Sequence, residues 1–244
     1  MKKKLAVLFV LCMVFTLAAC STQTEKKSAN AESDIYIGYT TDADKFIDVP
    51  NLRQYGDYTC GTTCVQMLMN YLYPKIGDKN LSAYEDNLGT TPAAGTSPQQ
   101  IYDYFKSNGV EVEKKESISV EELVSFIDSG DPVMMCVQAW SGEYNTTDPN
   151  ATATHYDEAL GKDVTDNTYL ADGHWIICVG YKKTADGYQF YFNDPACVGH
   201  CLMSQRDLDA RWIDMDGEGT IYNHFGFVIK GTTEFNDDGV FYLE

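Results

Sequence analysis

"RQYGDYTCGTTCVQMLMNYL" (Arg53–Leu72) sets a polar, turn-prone approach in front of a thiol, Cys60, and an apolar run behind it. Within the run Cys64, Val65, Met67, Leu68, Met69, Tyr71 and Leu72 are apolar, more than one stripe of a helix. A helix apolar nearly all round is packed on several sides, so the pattern predicts a central helix starting at Cys60 and stopped by Pro74. The backbone N–H groups at a helix start have no intrahelical partner and favour negative charge. Cys60 therefore stands where a thiolate is stabilised, and Gly61 would leave room for a substrate backbone. Gln54, six residues upstream, can turn its amide back toward the helix start and share a developing oxyanion with the Cys60 N–H.

Outward from this helix the signals are local. Ser97-Pro98 caps and opens a second helix over "QQIYDYFKSN", closed by Gly109, and Ser119 with Glu122 makes a capping box for "VEELVSFIDS", stopped by Gly130. Then the grain changes to strands: Pro132–Trp140, His174–Tyr181, Tyr188–Asp194 and His224–Lys230, with a hairpin loop at "KKTADG". Ser204 is a candidate cap for a helix in "QRDLDARWI". Helices first and antiparallel strands second predict an α+β domain. The polar segment 141–172 is long for a connection and reads as a functional loop or irregular lid. Asn145-Thr-Thr and Asn150-Ala-Thr within it match a glycosylation pattern.

The N-terminus determines the expected compartment. Lys2, Lys3 and Lys4 precede an apolar run ending in Leu17-Ala18-Ala19-Cys20, a signal-peptide layout too short for a good membrane span. The small-residue site before Cys20 resembles a bacterial lipobox, in which that cysteine is lipidated. The expected organisation is a signal at 1–19, a polar tether at 20–34 and one folded domain at 35–244, without internal repeat. The chain would sit outside the cytoplasm, at the cell surface or on the periplasmic face, touching the membrane only through its lipid. The formal charge is −18, and removal of residues 1–19 leaves 15 basic against 36 acidic residues, or −21. Such a field repels nucleic acid. A monomer acting on a peptide or protein is expected.

Of the 8 cysteines, Cys136 and Cys178 lie in apolar strand runs and read as small buried hydrophobes. Cys197, His200 and Cys201 in "DPACVGHC" supply only three metal ligands in a tight loop, so a disulfide or unpaired thiols are favoured over a metal site. Cys64, one turn into an apolar helix, should be buried with a raised pKa. His155 reads as a solvated loop histidine, His224 as a structural residue opening the last strand, and Glu121 as part of a helix cap. His174, at the first position of a hydrophobic strand after "LADG", can place its Nδ1 at the thiol with Nε2 oriented by an acceptor. Asp194, closing the next strand, would lie near the same sheet edge.

Gln54, Cys60-Gly61, Met67, "GHWIICVGY" from Gly173 and "NDP" from Asn193 resemble the papain-like cysteine peptidases typified by the bacteriocin double-glycine leader peptidases, family thirty-nine of that class, and their stand-alone exported relatives. The resemblance spans roughly Val49 to Lys230. It implies a papain-like fold and peptide-bond hydrolysis through a thioester, without cofactor or metal. Residue by residue it implies Cys60 as nucleophile, His174 as base and acid, Asp194 as orienter and Gln54 as oxyanion donor. Thr62-Thr63 departs from an alanine common near the nucleophile. No ATP-binding or exporter region follows, so coupled leader removal and export is not expected. Rival readings are an amidase or acyl transferase on cell-wall peptides, and a catalytically inert peptide-binding lipoprotein.

Overall fold

The computed structural model describes residues 42–73, 81–138, 153–157, 162–166, 173–197, 199–216 and 219–230. The signal, the lipidation at Cys20, the tether, Pro74, and the triplets at Asn145 and Asn150 lie outside these residues. Helix α1 (Cys60–Leu72) buries every side chain from Cys60 to Met69, as its all-round apolar pattern requires, and it packs against a strand on one side and a second helix on another. That second helix, α2 (Leu81–Leu88), went unread in the sequence because only Tyr84 and Leu88 turn inward. Helix α3 (Pro98–Ser107) carries a full capping box between Ser97 and Gln100. Helix α4 (Val120–Ser129) has the Ser119/Glu122 box and ends on Gly130 at φ 84°, the left-handed turn that glycine adopts without Cβ strain. Helix α5 (Gln205–Arg211) is capped by Ser204, whose hydroxyl accepts from the Asp207 N–H.

Seven strands make one antiparallel sheet: β1 (Lys45–Phe46), β2 (Val112–Lys115), β3 (Val133–Gln138), β6 (Gly173–Thr184), β7 (Gly187–Asn193), β8 (His200–Ser204) and β11 (Gly226–Ile229). The spatial order is β2-β11-β3-β6-β7-β8, with β1 alongside the far part of β6. At that crossing Gly180 is obligatory, since a Cβ there would lie 2.6 Å from the Lys45 carbonyl oxygen. The hairpin between β6 and β7 is tighter than the "KKTADG" reading, because the ladder continues to a Thr184↔Gly187 pair. Strands β9 (Ile213–Met215) and β10 (Ile221–Asn223) form a separate ladder.

Two expectations are corrected. The described part of segment 141–172 is a regular antiparallel pair, β4 (Ala153–Asp157) with β5 (Lys162–Asp166), so His155 lies on a strand rather than in an irregular loop. His224 does not open the last strand. It stands before β11 at φ 47°, held by its Nδ1 against the Ile118 carbonyl at 3.0 Å and by stacking on Trp212 at 4.7 Å between ring centroids.

The core lies between the sheet and the helices. Phe105, Phe190, Phe192, Phe225, Phe227 and Trp212 are fully buried within it. The one polar atom of Trp212, Nε1–H, donates to the Phe225 carbonyl at 2.9 Å, which removes the cost of burying it. Cys136 and Cys178 are buried as expected. Among the described residues no helix is long and apolar enough to cross a membrane.

Candidate active site

Unlike α3, α4 and α5, helix α1 starts without a side-chain cap. Thr59 stands at the cap position, but its hydroxyl turns back to donate to the Gly56 carbonyl at 3.1 Å. The first N–H groups of α1 therefore receive no side-chain cap. Cys60 itself is 8% exposed.

The ladder sets the partners. Ile177 pairs with Asn193 across β6 and β7, so Asp194, one residue past the strand, falls diagonal to His174 on the same face. The His174 Nε2 and Asp194 Oδ1 are 2.7 Å apart, with the side chains 3% and 17% exposed. The Cys60 thiol lies near enough to the same ring to raise its pKa, and with Nε2 on Asp194, Nδ1 is the nitrogen left for it. The structure therefore brings Cys60, His174 and Asp194 together. Burial alone would push the His174 pKa down, but the bond to Asp194 and the neighbouring Cys60 thiol outweigh it and hold the ring up at about 9. Burial would likewise raise Asp194, yet the bond and the charge of His174 keep its carboxyl below the ordinary value.

Gln54 is fastened beside this group through its backbone N–H, which donates to the Pro195 carbonyl at 2.8 Å. One N–H of its side-chain amide goes to the Gly56 carbonyl at 2.8 Å, and its Oε1 is buried without a partner. Its amide thus serves the turn leading into α1 and is not bonded to the three clustered side chains.

Gly61 has a different physical reason from the one the sequence suggested. A Cβ there would lie 2.9 Å from Thr96 Cβ and 3.0 Å from Trp175 Cδ1, so the glycine admits β6 and the 90–96 loop rather than a substrate. Thr96 cannot move aside cheaply, because its carbonyl accepts from Trp175 Nε1 at 3.0 Å and its hydroxyl sits in a threonine cluster. Gly61→Ala is expected to lower stability by about 1–3 kcal/mol, read as a melting temperature several degrees lower, with slower alkylation of Cys60.

That cluster accounts for Thr62. Its hydroxyl bonds Thr90 at 2.7 Å and Thr96 at 3.3 Å, and Thr90 and Thr96 are 2.8 Å apart, so three hydroxyls satisfy one another under the start of α1. No single stretch signals the cluster, since its members stand up to 34 residues apart in sequence. Asn193 was also missed as an anchor. It is fully buried, donating to the Val49 carbonyl at 2.8 Å and pairing its Oδ1 with His200 Nδ1 at 2.8 Å. These bonds clamp the corner that carries Asp194.

Cys64 behaves as expected: fully buried, its thiol donates to the Trp175 carbonyl at 3.3 Å, and burial pushes its pKa well up. Cys197 and Cys201 are both free thiols, and each reaches the Asp194 Oδ2, at 3.5 and 3.7 Å.

A thiol at the start of a central helix, facing a histidine–carboxylate pair on an antiparallel sheet, defines a papain-like α+β domain of the cysteine-peptidase type. The chain belongs to the Peptidase_C39 like family, which matches it over residues 46–219. Among solved structures it is similar to the crystal structure of a protein from Bacillus anthracis titled as a C39-like peptidase, at 14% identity and a TM-score of 0.50 over 77% of this chain and 98% of that one. At that identity the likeness concerns the fold alone. No curated protein matches the chain.

Proposed function

We propose that the chain is a working peptidase that hydrolyses peptide bonds through a thioester on Cys60. The observation that carries this reading is one imidazole held at 2.7 Å by the Asp194 carboxylate with the Cys60 thiol beside it. His174 takes the thiol proton at Nδ1, and the thiolate sulfur attacks the scissile carbonyl carbon. The resulting oxyanion lies between the Cys60 N–H and the second N–H of the Gln54 amide. The imidazolium then returns its proton to the leaving amine, and the C–N bond breaks to give an acyl thioester. A water, deprotonated by the same nitrogen, releases the acid and restores the thiol. Asp194 accepts from Nε2–H throughout, which fixes the ring tautomer and favours the imidazolium. The sequence of residues 1–20 supports an extracytoplasmic enzyme held to a membrane by lipid on Cys20, acting as a monomer on a peptide or protein.

The pH dependence tests the reading. With His174 raised to about 9, the ring stays protonated and paired up to that region. The stability it contributes is complete below the ordinary histidine value of about 6.5 and is lost as pH rises through about 9. The alkaline limb of kcat/KM is expected to follow the same group, falling with a midpoint about 9. A limb near 7 would place another group in control.

A further inference from the structure

The Asp194 carboxylate divides its two oxygens between two tasks. Oδ1 meets His174 Nε2 at 2.7 Å and accepts from the Ala196 N–H at 2.8 Å. Oδ2 receives instead the thiols of Cys197 at 3.5 Å and Cys201 at 3.7 Å. The three donor atoms all lie within 4.8 Å of one another. In the sequence His200 is the third candidate ligand of the loop. That histidine turns away to Asn193, and Asp194 stands in its place.

Around a tetrahedral zinc ion, with bonds of about 2.3 Å to sulfur and about 2.0 to 2.2 Å to oxygen, the sulfur–oxygen edges are about 3.5 to 3.7 Å and the sulfur–sulfur edge about 3.8 Å. The two observed sulfur–oxygen distances match these edges without any movement of the chain. Two edges of a tetrahedron are therefore already present, with the two sulfurs within 4.8 Å of one another, and water or a small ligand would complete the coordination. Cys197 and Cys201 are half-buried rather than sealed, so an ion can enter, and a formal charge of −18 draws cations to the protein. The turn that carries Asp194 and Cys197 is closed by a Cys197 N–H bond to the Asp194 carbonyl at 3.0 Å, which holds the first two ligands in register. Cys201, on β8, is placed by its ladder partner Phe192.

We propose that Asp194 Oδ2, Cys197 Sγ and Cys201 Sγ form a binding site for a thiophilic divalent cation of the zinc class, next to the Cys60–His174 pair. Binding displaces the two thiol protons to solvent and forms two metal–thiolate bonds and one metal–carboxylate bond, with no change of oxidation state. The ion also draws charge from the carboxylate that faces His174, so occupancy would restrain the chemistry at Cys60; this consequence alone rests on the peptidase reading.

The test uses the reduced full chain carrying Cys60→Ala, which removes the neighbouring thiol and makes the result independent of peptidase activity. Zinc should bind at one equivalent, and cobalt or cadmium should give the charge-transfer absorption of thiolate ligation. Adding Cys197→Ser and Cys201→Ser should abolish that absorption and weaken zinc binding about a hundredfold or more, since loss of a supporting outer group alone costs 10- to 100-fold. Asp194→Asn, which keeps the shape of the side chain and both thiols, should weaken zinc at least tenfold. Failure to take up zinc in Cys60→Ala, equal affinity in the serine variant, or an absorption that survives both serine substitutions would overturn the proposal.

Discussion

Cys60→Ala is expected to lower kcat/KM for peptide cleavage by about 10⁴-fold or more, to the level left when a nucleophile is removed from a site whose other groups remain. Cys64→Ala is the matched control. Both thiols belong to α1 and both are buried, but that of Cys64 is committed to the Trp175 carbonyl at 3.3 Å. Its removal should cost about 1 kcal/mol of stability and leave turnover within a few-fold. The measurement is cleavage of a peptide library followed by mass spectrometry, with an iodoacetamide-type reagent counting the reactive thiol. Equal loss in the two variants, or no loss in Cys60→Ala, would remove Cys60 from the role of nucleophile.

His174→Ala should reduce cleavage by about 10³-fold or more, and it should also slow alkylation of Cys60 by at least about tenfold near neutral pH. The second effect separates chemistry from mere folding. A ring that takes the thiol proton governs how often the sulfur is a thiolate, whereas a purely structural ring does not. Removing the imidazole also leaves Asp194 without its partner in a partly buried site, which destabilises. His174→Gln fills the same space and can still donate to Asp194, so it should fold while remaining as inactive as the alanine variant. Slow, unchanged labelling in wild type and both variants would favour an inert peptide-binding domain.

Much of the site was legible because its signals are local. A thiol before an apolar run, a histidine opening a hydrophobic strand and an aspartate closing the next each mark the end of a regular element. Chain ends of elements are where side chains meet a cleft. The capping boxes at Ser97 and Ser119 were readable for the same reason, since a cap is a bond between residues three apart. Helix α2 was not readable, having only two inward residues. Gly61 was misread because a glycine's reason lies in what a Cβ would strike. Here that is Thr96 and Trp175, from parts of the chain that no local pattern connects to it.

The sequence by itself determined the α+β class, the central helix, and the residue types at which thiol chemistry is possible, because periodicity and caps are properties of neighbours along the chain. Only the tertiary structure decided which atoms face one another. The β6–β7 register turns Asp194 toward His174 rather than away, since a shift of one residue would reverse every side chain. The same register, continued to β8, brings Cys201 beside Cys197 and sets both thiols on the second oxygen of that aspartate.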